Sequence, residues 1–442
     1  MKFKLTSSQK NFYNKNFTLD SQIWNQGVME TFPKIYSYEE INNAYNKLVE
    51  THDSLRVKLV ETDDGIVADV REHEYINYRF WQVETEEELM QKAQDFLNEP
   101  IDRYGLLVNC AVFQTPTTSG FMINAHHIVI DGFSAIAMAS HVNEFLKDEN
   151  FAPEVQKYAD YVEAEEKHKQ SRRYAKSQEF WLKEFSIQPD CNIVPASTKS
   201  LDFSSSESNH NISSELINNI KDFCAINDIS ITTFFNTVLS IYLSRKYETQ
   251  KLTIGTPVLN RTSALEFNTV GLYMHLLPLI VNLSADTFLE NAKQIEDFQL
   301  NLFRHQKFTQ NDIKELLKEN GKEQNNLFDV AFNYQEFDKN DEYQFVFRYS
   351  NYLSLPLEIH LHQFNGENHN LKIRYRTAMF DKQEIEIMLK SIVTLAEKAL
   401  ENYDKNINEI EMISTDEKEE VISSFNDTEH TYNIPENTTL YS

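Results

Sequence analysis

Between Asn124 and Ser134 the chain reads Asn-Ala-His-His-Ile-Val-Ile-Asp-Gly-Phe-Ser. The residues before it, Gly120-Phe121-Met122-Ile123, form an apolar run that reads as a strand. Those after it, Ser134 to Val142, read as a helix. Two histidines therefore stand where a strand leaves a sheet, with an Asp-Gly turn behind them. Successive side chains on a strand point to opposite faces, so His126 and His127 are expected to diverge and cannot easily share one ligand or metal. One imidazole facing a cavity, with the other packed in support, is the geometry of a single catalytic base. A pair of packed histidines beside a turn is the plain alternative. H-x-x-x-D alone is a weak signal; two adjacent His with Asp-Gly at this spacing is a stronger one.

The 442 residues exceed what one hydrophobic core organises, so two or three lobes are expected. With 9 Gly in the whole chain, Gly-rich phosphate cradles are not expected, and none is found. A formal charge of −26 repels a phosphate backbone, so no nucleic-acid binding is expected. Cys110, Cys191 and Cys224 are far apart and lack metal-ligand spacing; no metal is expected, and a reducing cytosol fits them. The first residues, Met1 to Thr6, lack an apolar signal core. The longest apolar run, Val270 to Leu283, contains His275 and Asn282 and is too short to span a bilayer. A cytoplasmic chain with no membrane association is the expectation.

A first helix is expected from near Ser7. Ser37-Tyr38-Glu39-Glu40 reads as a capping box, followed by Ile41, Ala44, Tyr45 and Leu48 at helical spacing. Arg56 is read as starting a strand through Val57 and Leu59, which Glu61–Gly65 and Ile66–Val70 complete as a hairpin. Thr85-Glu86-Glu87-Glu88 reads as a second capping box, its helix carrying Leu89, Ala93, Phe96 and Leu97 and stopping at Pro100. Leu106 to Phe113 is a strand. The stretch from Ser186 to Asp202, with Pro189 and Pro195 among small polar residues, is the expected boundary. Helices near Ser213–Asn227 and Ile231–Tyr247 and a strand at Leu252–Val258 then restart an α/β rhythm, without visible self-similarity. Arg348 to Ile373, two extended pieces around Gly366, is expected to cross back to the first lobe. Asp381 to Glu384 caps a long final helix. Tyr158 and Tyr161 fall on one helix face and are assigned to packing.

His126-His127-x-x-x-Asp131-Gly132 resembles the core motif of condensation domains in nonribosomal peptide synthetases, within the wider group of acyltransferases that includes chloramphenicol acetyltransferase. Other stretches resemble further motifs of that family in order. Leu5 to Tyr13 resembles the first, an S-x-A-Q core, with Ser8 in place of Ala and no following Arg. Thr51 to Leu59 resembles the second, R-H-E-x-L-R-T, with departures at Thr51 and Asp53. Tyr158-Ala159-Asp160-Tyr161 resembles the fourth. Ile254–Arg261 and Val270–Leu279 resemble the fifth, G-x-P-x-x-x-R and V-G-x-F-V-N-T-x-P-L, with Met274-His275 where Val-Asn is usual. Gln310–Ile313 only hints at the sixth, and Asn326–Gln335 resembles the seventh. Ser414–Lys418 and Phe425-Asn426-Asp427-Thr428 resemble the linker to an adenylation domain.

The resemblance implies an α/β fold of two chloramphenicol-acetyltransferase-like sandwich lobes, residues 1–185 and 186–425, in a V-shaped pseudo-dimer with a central tunnel; residues 426–442 would begin the linker. It implies amide-bond formation: the amine of a carrier-bound aminoacyl thioester attacks a donor acyl or peptidyl thioester. The catalytic set is His127 with His126, Asp131 and Gly132. His127 faces the tunnel as base or orienting group, His126 supports it structurally, and the Gly132 N–H is a candidate oxyanion donor. The family's ion pair carries over as Arg56 to Asp131, since a buried carboxylate stays ionised only when paired. Asn333, His275 and Ser134 are assigned to the tunnel lining. No cofactor is expected to be bound; substrates would arrive on the phosphopantetheine of donor and acceptor carrier proteins, or on coenzyme A for an initiating donor. A downstream adenylation domain is the expected neighbour in the same chain. The first motif lies a few residues after Met1, which reads as an initiating, N-acylating domain.

Rival readings differ at named features. An epimerisation domain shares the paired histidines but usually ends a module, against the apparent linker. A heterocyclisation domain would carry aspartates in place of the histidines, and a plant-type acyltransferase needs a D-F-G-W-G motif, absent here. A non-catalytic platform that recruits carrier proteins or other partners on the same fold stays open: the intact core motif weighs against it, the degenerate first and sixth motifs for it.

Overall fold

The computed structural model describes residues 1–14, 21–63, 65–102, 104–195, 202–337, 340–363, 368–413, 418–419 and 422–423. The linker-like run from Phe425 to Thr428 lies outside them, as do Ser414 to Glu417 and Gly366.

The first half of the chain runs β1 (Lys2–Lys4), α1 (Ser7–Asn14), β2 (Asn25–Phe32), α2 (Tyr38–Thr51), β3 (Val57–Thr62), β4 (Gly65–Val70), β5 (Arg79–Gln82), α3 (Glu86–Leu97), β6 (Val108–Gln114), β7 (Ser119–His126), α4 (Gly132–Lys147), α5 (Tyr158–His168) and α6 (Arg172–Glu184). The second runs β8 (Ser205–Asn211), α7 (Ser214–Ile226), α8 (Ile231–Tyr247), β9 (Lys251–Val258), α9 (Ala264–Asn268), β10 (His275–Asn282), α10 (Phe288–Arg304), α11 (Gln310–Glu319), β11 (Val330–Glu336), β12 (Gln344–Tyr349), β13 (Leu357–Gln363), β14 (Asn370–Arg376) and α12 (Lys382–Glu401).

Each lobe is built on one sheet. The first has strand order β12-β2-β7-β6-β5 and the second β10-β9-β11-β13-β14-β8, with a small β1-β4-β3 sheet beside the first. β7 is buried along its whole length. Its alternation feeds two cores: Phe121, Ile123 and Ala125 pack with α2 and α4, while Met122 packs with Trp81 and α3 on the other face. The second lobe has one large core in which α8 and α12 lie against the sheet.

Local signals explain most boundaries. Ser37 and Glu40 form the reciprocal box at the start of α2. At α3 half of the expected box forms: Thr85 accepts from the Glu88 N–H, but the Glu88 carboxylate takes the Glu84 N–H. Arg56 closes a one-turn 3-10 helix, Asp53–Arg56, and the strand begins after it. Asp131 is the N-cap of α4, accepting from the Ser134 N–H, so the Asp-Gly turn and the helix start are one device.

The crossover lies earlier than expected. β12, residues 344–349, leaves the second lobe and pairs antiparallel with β2, from Gln344 opposite Thr31 to Tyr349 opposite Gln26. The two strands inside the expected segment, β13 and β14, stay in their own sheet. β2 would otherwise present an unpaired edge to the second lobe, and β12 covers it. Among the described residues no single helix is long and apolar enough to cross a membrane. All three cysteines are buried and free.

Candidate functional site

The second lobe threads a segment into the first. Val270 belongs to the first lobe's core. Its carbonyl accepts from Ser54 Oγ at 2.7 Å, and its N–H donates to His52 Nδ1 at 3.2 Å. Gly271 lies against Tyr158; a Cβ there would come within 2.5 Å of that ring. Tyr158 donates its hydroxyl proton to the Leu272 carbonyl at 2.7 Å, so the tyrosine assigned to packing also pins this segment.

Asp131 is where the two lobes are tied. One carboxylate oxygen accepts from the Ser134 N–H at 2.7 Å; the other accepts from the Tyr273 and Met274 N–H groups, both at 2.9 Å. Arg261 Nη2 reaches both oxygens, at 3.0 and 3.1 Å, and neither side chain is exposed at all. The guanidinium is packed 4.1 Å from the centre of the Tyr273 ring. Burial drives the Asp131 pKa upward, but Arg261 and the Met274, Tyr273 and Ser134 N–H groups outweigh it and hold the carboxyl below its usual range.

This corrects the expected pairing of Arg56 with Asp131. Arg56 instead donates to the carbonyls of Val49, Arg71 and Glu50, closing the turn after α2. The arginine that pairs is Arg261, which ends the Gly255-to-Arg261 motif. The signal was in the sequence, but two arginines sat in motifs and distance along the chain favoured neither.

His127 lies just beyond the end of β7. Its N–H donates to the Trp24 carbonyl at 2.8 Å, and Phe12 of α1 stacks on its ring with centroids 4.7 Å apart. Nδ1 is 2.9 Å from the Ile130 carbonyl oxygen. A carbonyl can only accept, so Nδ1 carries the proton and Nε2 presents its lone pair. His127 lines a cavity of about 200 Å³ between the lobes. Burial lowers its pKa, against Asp131, the Ile130 carbonyl and Glu358, which raise it; the net shift is downward, so the imidazole is neutral at pH 7. His126 points elsewhere, as strand alternation requires. It is fully buried, its Nδ1 accepts from the Ile128 N–H at 3.1 Å, and burial and then His127 press its pKa down to about 3.

The remaining expected residues divide. Gly132, His275 and Asn333 line the cavity. His275 Nδ1 lies 3.3 Å from both Ser8 Oγ and the Tyr273 carbonyl, and burial lowers its pKa. Ser134 does not line it: it is fully buried, with Oγ 2.9 Å from Asp131 Oδ1 and 2.8 Å from the Gly271 carbonyl. Its place one helical turn into α4, behind Asp131, turns it away from the opening. The weak sixth motif also contributes, since Gln310 and Asn311 line the cavity and Gln310 accepts from Asn11 at 2.9 Å. Sequence reasoning missed Phe12 and Trp24 at the histidine and Glu358, His360 and Arg374 on the second lobe's wall. Among the described residues no three His, Cys, Asp or Glu side chains gather as a metal site.

A two-lobed α/β chain with a buried Asp–Arg hub between the lobes, and a neutral histidine opening onto the interlobe cavity, is the arrangement that the resemblance of the His-His-x-x-x-Asp-Gly motif implied. The condensation-domain family profile matches residues 2–422. The chain belongs to that family and is a condensation domain of the nonribosomal peptide synthetase kind. It is 25% identical to tyrocidine synthase 2 of Brevibacillus parabrevis, over 97% of this chain and 12% of that one. It is 23% identical to surfactin synthase subunit 1 of Bacillus subtilis (strain 168), over 95% of this chain and 12% of that one. The chain thus spans less than a fifth of these curated relatives. Its fold is that of the first condensation domain of the calcium-dependent antibiotic synthetase, with a TM-score of 0.80, 15% identity and coverage of 94% and 99% of the two chains. The starter condensation domain of rhizomide synthetase, solved as a mutant with C8-CoA and Leu-SNAC, matches with a TM-score of 0.80, 16% identity and coverage of 93% and 98%. The expected two-lobed, V-shaped architecture stands.

Proposed function

We propose that this domain joins an acyl or peptidyl thioester to the α-amine of an aminoacyl thioester, both carried on phosphopantetheine arms that enter the interlobe cavity from opposite sides. The amine nitrogen attacks the donor carbonyl carbon. The C–N bond forms, the carbonyl electrons move to oxygen, and the C–S bond then breaks to release the donor thiol. The observation that carries this reading is His127: Nδ1 locked to a carbonyl, Nε2 open to the cavity, and a ring held neutral. Nε2 takes the proton that the attacking amine must lose and returns it to the departing sulfur, a role typically worth ~10²–10⁴-fold.

Gly132 lines the same cavity at the first turn of α4, where helix N–H groups have no intrahelical acceptor. Its N–H is the proposed donor to the developing oxyanion. Asp131 touches no substrate in this account; it fixes the turn between His127 and α4. His126 is a supporting residue. The division into lobes at 185/186, the carrier-protein partners and the adjoining adenylation domain belong to the same proposal, supported by the far longer relatives.

The test is the intact mass of an aminoacyl-loaded acceptor carrier after incubation with this domain and loaded donors. A fatty-acyl coenzyme A belongs among the donors, to probe the initiating reading. A mass gain equal to the donor acyl group, abolished by His127→Ala, is the expected result. No gain with any donor, together with measurable carrier binding, would favour the recruitment platform.

A further inference from the structure

The cavity that holds His127 has one charged wall. β13 alternates Leu357, Ile359 and Leu361 into the second lobe's core with Glu358, His360 and His362 on the other face. β14 places Arg374 directly across from Glu358. Glu358, His360 and Arg374 all line the cavity, beside apolar Phe332, Phe347 and Leu353.

The two charges of this wall are not spent alike. Arg374 Nη1 donates to Glu358 Oε2 at 3.0 Å, Nη2 lies 3.1 Å from the carbonyls of both Ser350 and Tyr352, and the guanidinium stacks 4.3 Å over the Tyr349 ring. Arg374 is thus enclosed by its partners. Glu358 is half used. Oε2 takes Arg374 and stands 3.5 Å from His360 Nε2, but among the described residues no donor reaches Oε1. The carboxylate side chain keeps 21% of its surface against 7% for Arg374, and that surface faces the cavity. Burial pushes its pKa up, but His360 and Arg374 more than offset this, and the group stays ionised. Its charge is felt at His127, so it lies within electrostatic reach of the proposed reacting centre.

A cross-strand ion pair that only joined β13 to β14 would have no need of an open oxygen. Desolvating two charges is costly, and a solvated or apolar pair would join the strands as well. An ionised acceptor, backed by a fixed guanidinium and presented into a largely apolar space, is what recognition of a donor-rich group requires.

We propose that Glu358, positioned by Arg374, is a specificity-determining anchor for an amine on the side chain of an aminoacyl unit held in the cavity. This rests on the reading of the cavity as the place where the thioesters meet. The substrate class it predicts is an amino acid with a basic side chain, in preference to its hydrocarbon isostere. A site built to hydrogen-bond a substrate group rejects the analogue lacking it, because its own buried group is left unpaired.

The experiment is calorimetric binding of two unreactive probes, the pantetheine amides of ornithine and of norleucine, which differ by an ammonium in place of a methyl group. In the wild-type domain the ornithine probe is expected to bind at least about tenfold tighter, the size of one charge-assisted hydrogen bond. Glu358→Gln keeps the shape and a bond to Arg374 but loses the charge, and should shrink the preference below about threefold. The double substitution Glu358→Leu/Arg374→Leu removes both charges, avoids stranding the arginine, and should reverse it. Equal binding of the two probes by the wild type, binding of neither, or a preference that survives both substitutions would overturn the proposal. If Glu358 instead held the α-amine common to both probes, the substitutions would weaken both equally, which also overturns it. Because the readout is binding without turnover, it is separate from the condensation assay: a basic-side-chain preference with no His127-dependent product would reject the function and keep the anchor.

Discussion

Asp131 shows how much one buried carboxylate can organise when its bonds are complete. It caps α4, receives two N–H groups from the second lobe and pairs with an arginine as buried as itself. Removing one member of such a pair strands the other charge, at a typical cost of ~3–5 kcal/mol. Arg261→Met is therefore expected to lower the unfolding free energy by about that amount. Arg56→Ala, which gives up hydrogen bonds to carbonyls at a half-exposed site, should cost about 1 kcal/mol. Urea denaturation of the two variants decides the matter; equal losses would contradict the assignment of Arg261 as the partner. His126 and His127 were legible from strand alternation, because that periodicity is fixed by the backbone. The identity of Asp131's partner was not: Arg56 and Arg261 both stand in motifs, and only the docking of the 270–274 segment selects one.

At the level of elements, the first lobe's sheet is governed by close contacts at its central strand. A Cβ on Gly120 would stand 2.0 Å from the Glu30 carbonyl oxygen and 2.5 Å from the tip of Phe113. Backbone cannot yield there as the end of a flexible side chain would. Gly120→Ala is expected to force β2 and β7 apart and cost at least ~1–3 kcal/mol, read as a drop in melting temperature. A change of a few tenths of a kcal/mol would show that the strands separate more easily than this packing implies. Helix starts were mostly legible, since Ser37, Asp131 and Asp381 act through side chains a few residues away. The crossover strand was harder to place. β12 is no more strand-like than β13 or β14, and its pairing with β2 depends on which edge is free in three dimensions.

Over the whole molecule, buried titratable groups pull stability in opposite directions with pH. His126 is fully buried with its pKa pressed to about 3, so the native state excludes a proton that the unfolded chain binds near 6.5; its contribution is full above 6.5 and is lost as pH falls toward 3. His52, buried against His141 at 3.0 Å, behaves the same way, with burial, His141 and Arg261 holding it at about 3. Glu30 has the reverse sign. It is fully buried, neither carboxylate oxygen has a hydrogen-bond partner among the described residues, and burial raises its pKa well above 4.5. The native state keeps a proton that the unfolded chain loses, so stability is spent as pH rises past 4.5. Glu30→Gln should therefore leave stability nearly unchanged at pH 4.5 and raise it progressively above, by up to about 1.4 kcal/mol per pH unit. Unfolding free energies at pH 4.5, 5.5 and 7 test this, and a pH-independent difference would refute it.

The alternation that separates His126 from His127, the caps, the two-lobed α/β rhythm and the family were all legible in the amino-acid order, because they depend on near neighbours and on motif order. Tertiary structure alone decided that Arg261 holds Asp131, that β12 crosses to the first sheet, and that Phe12, Glu358 and Arg374 share a cavity with His127. Those choices are made between groups more than a hundred residues apart, where the energy comes from desolvation and close packing, and neither exists until the lobes have met.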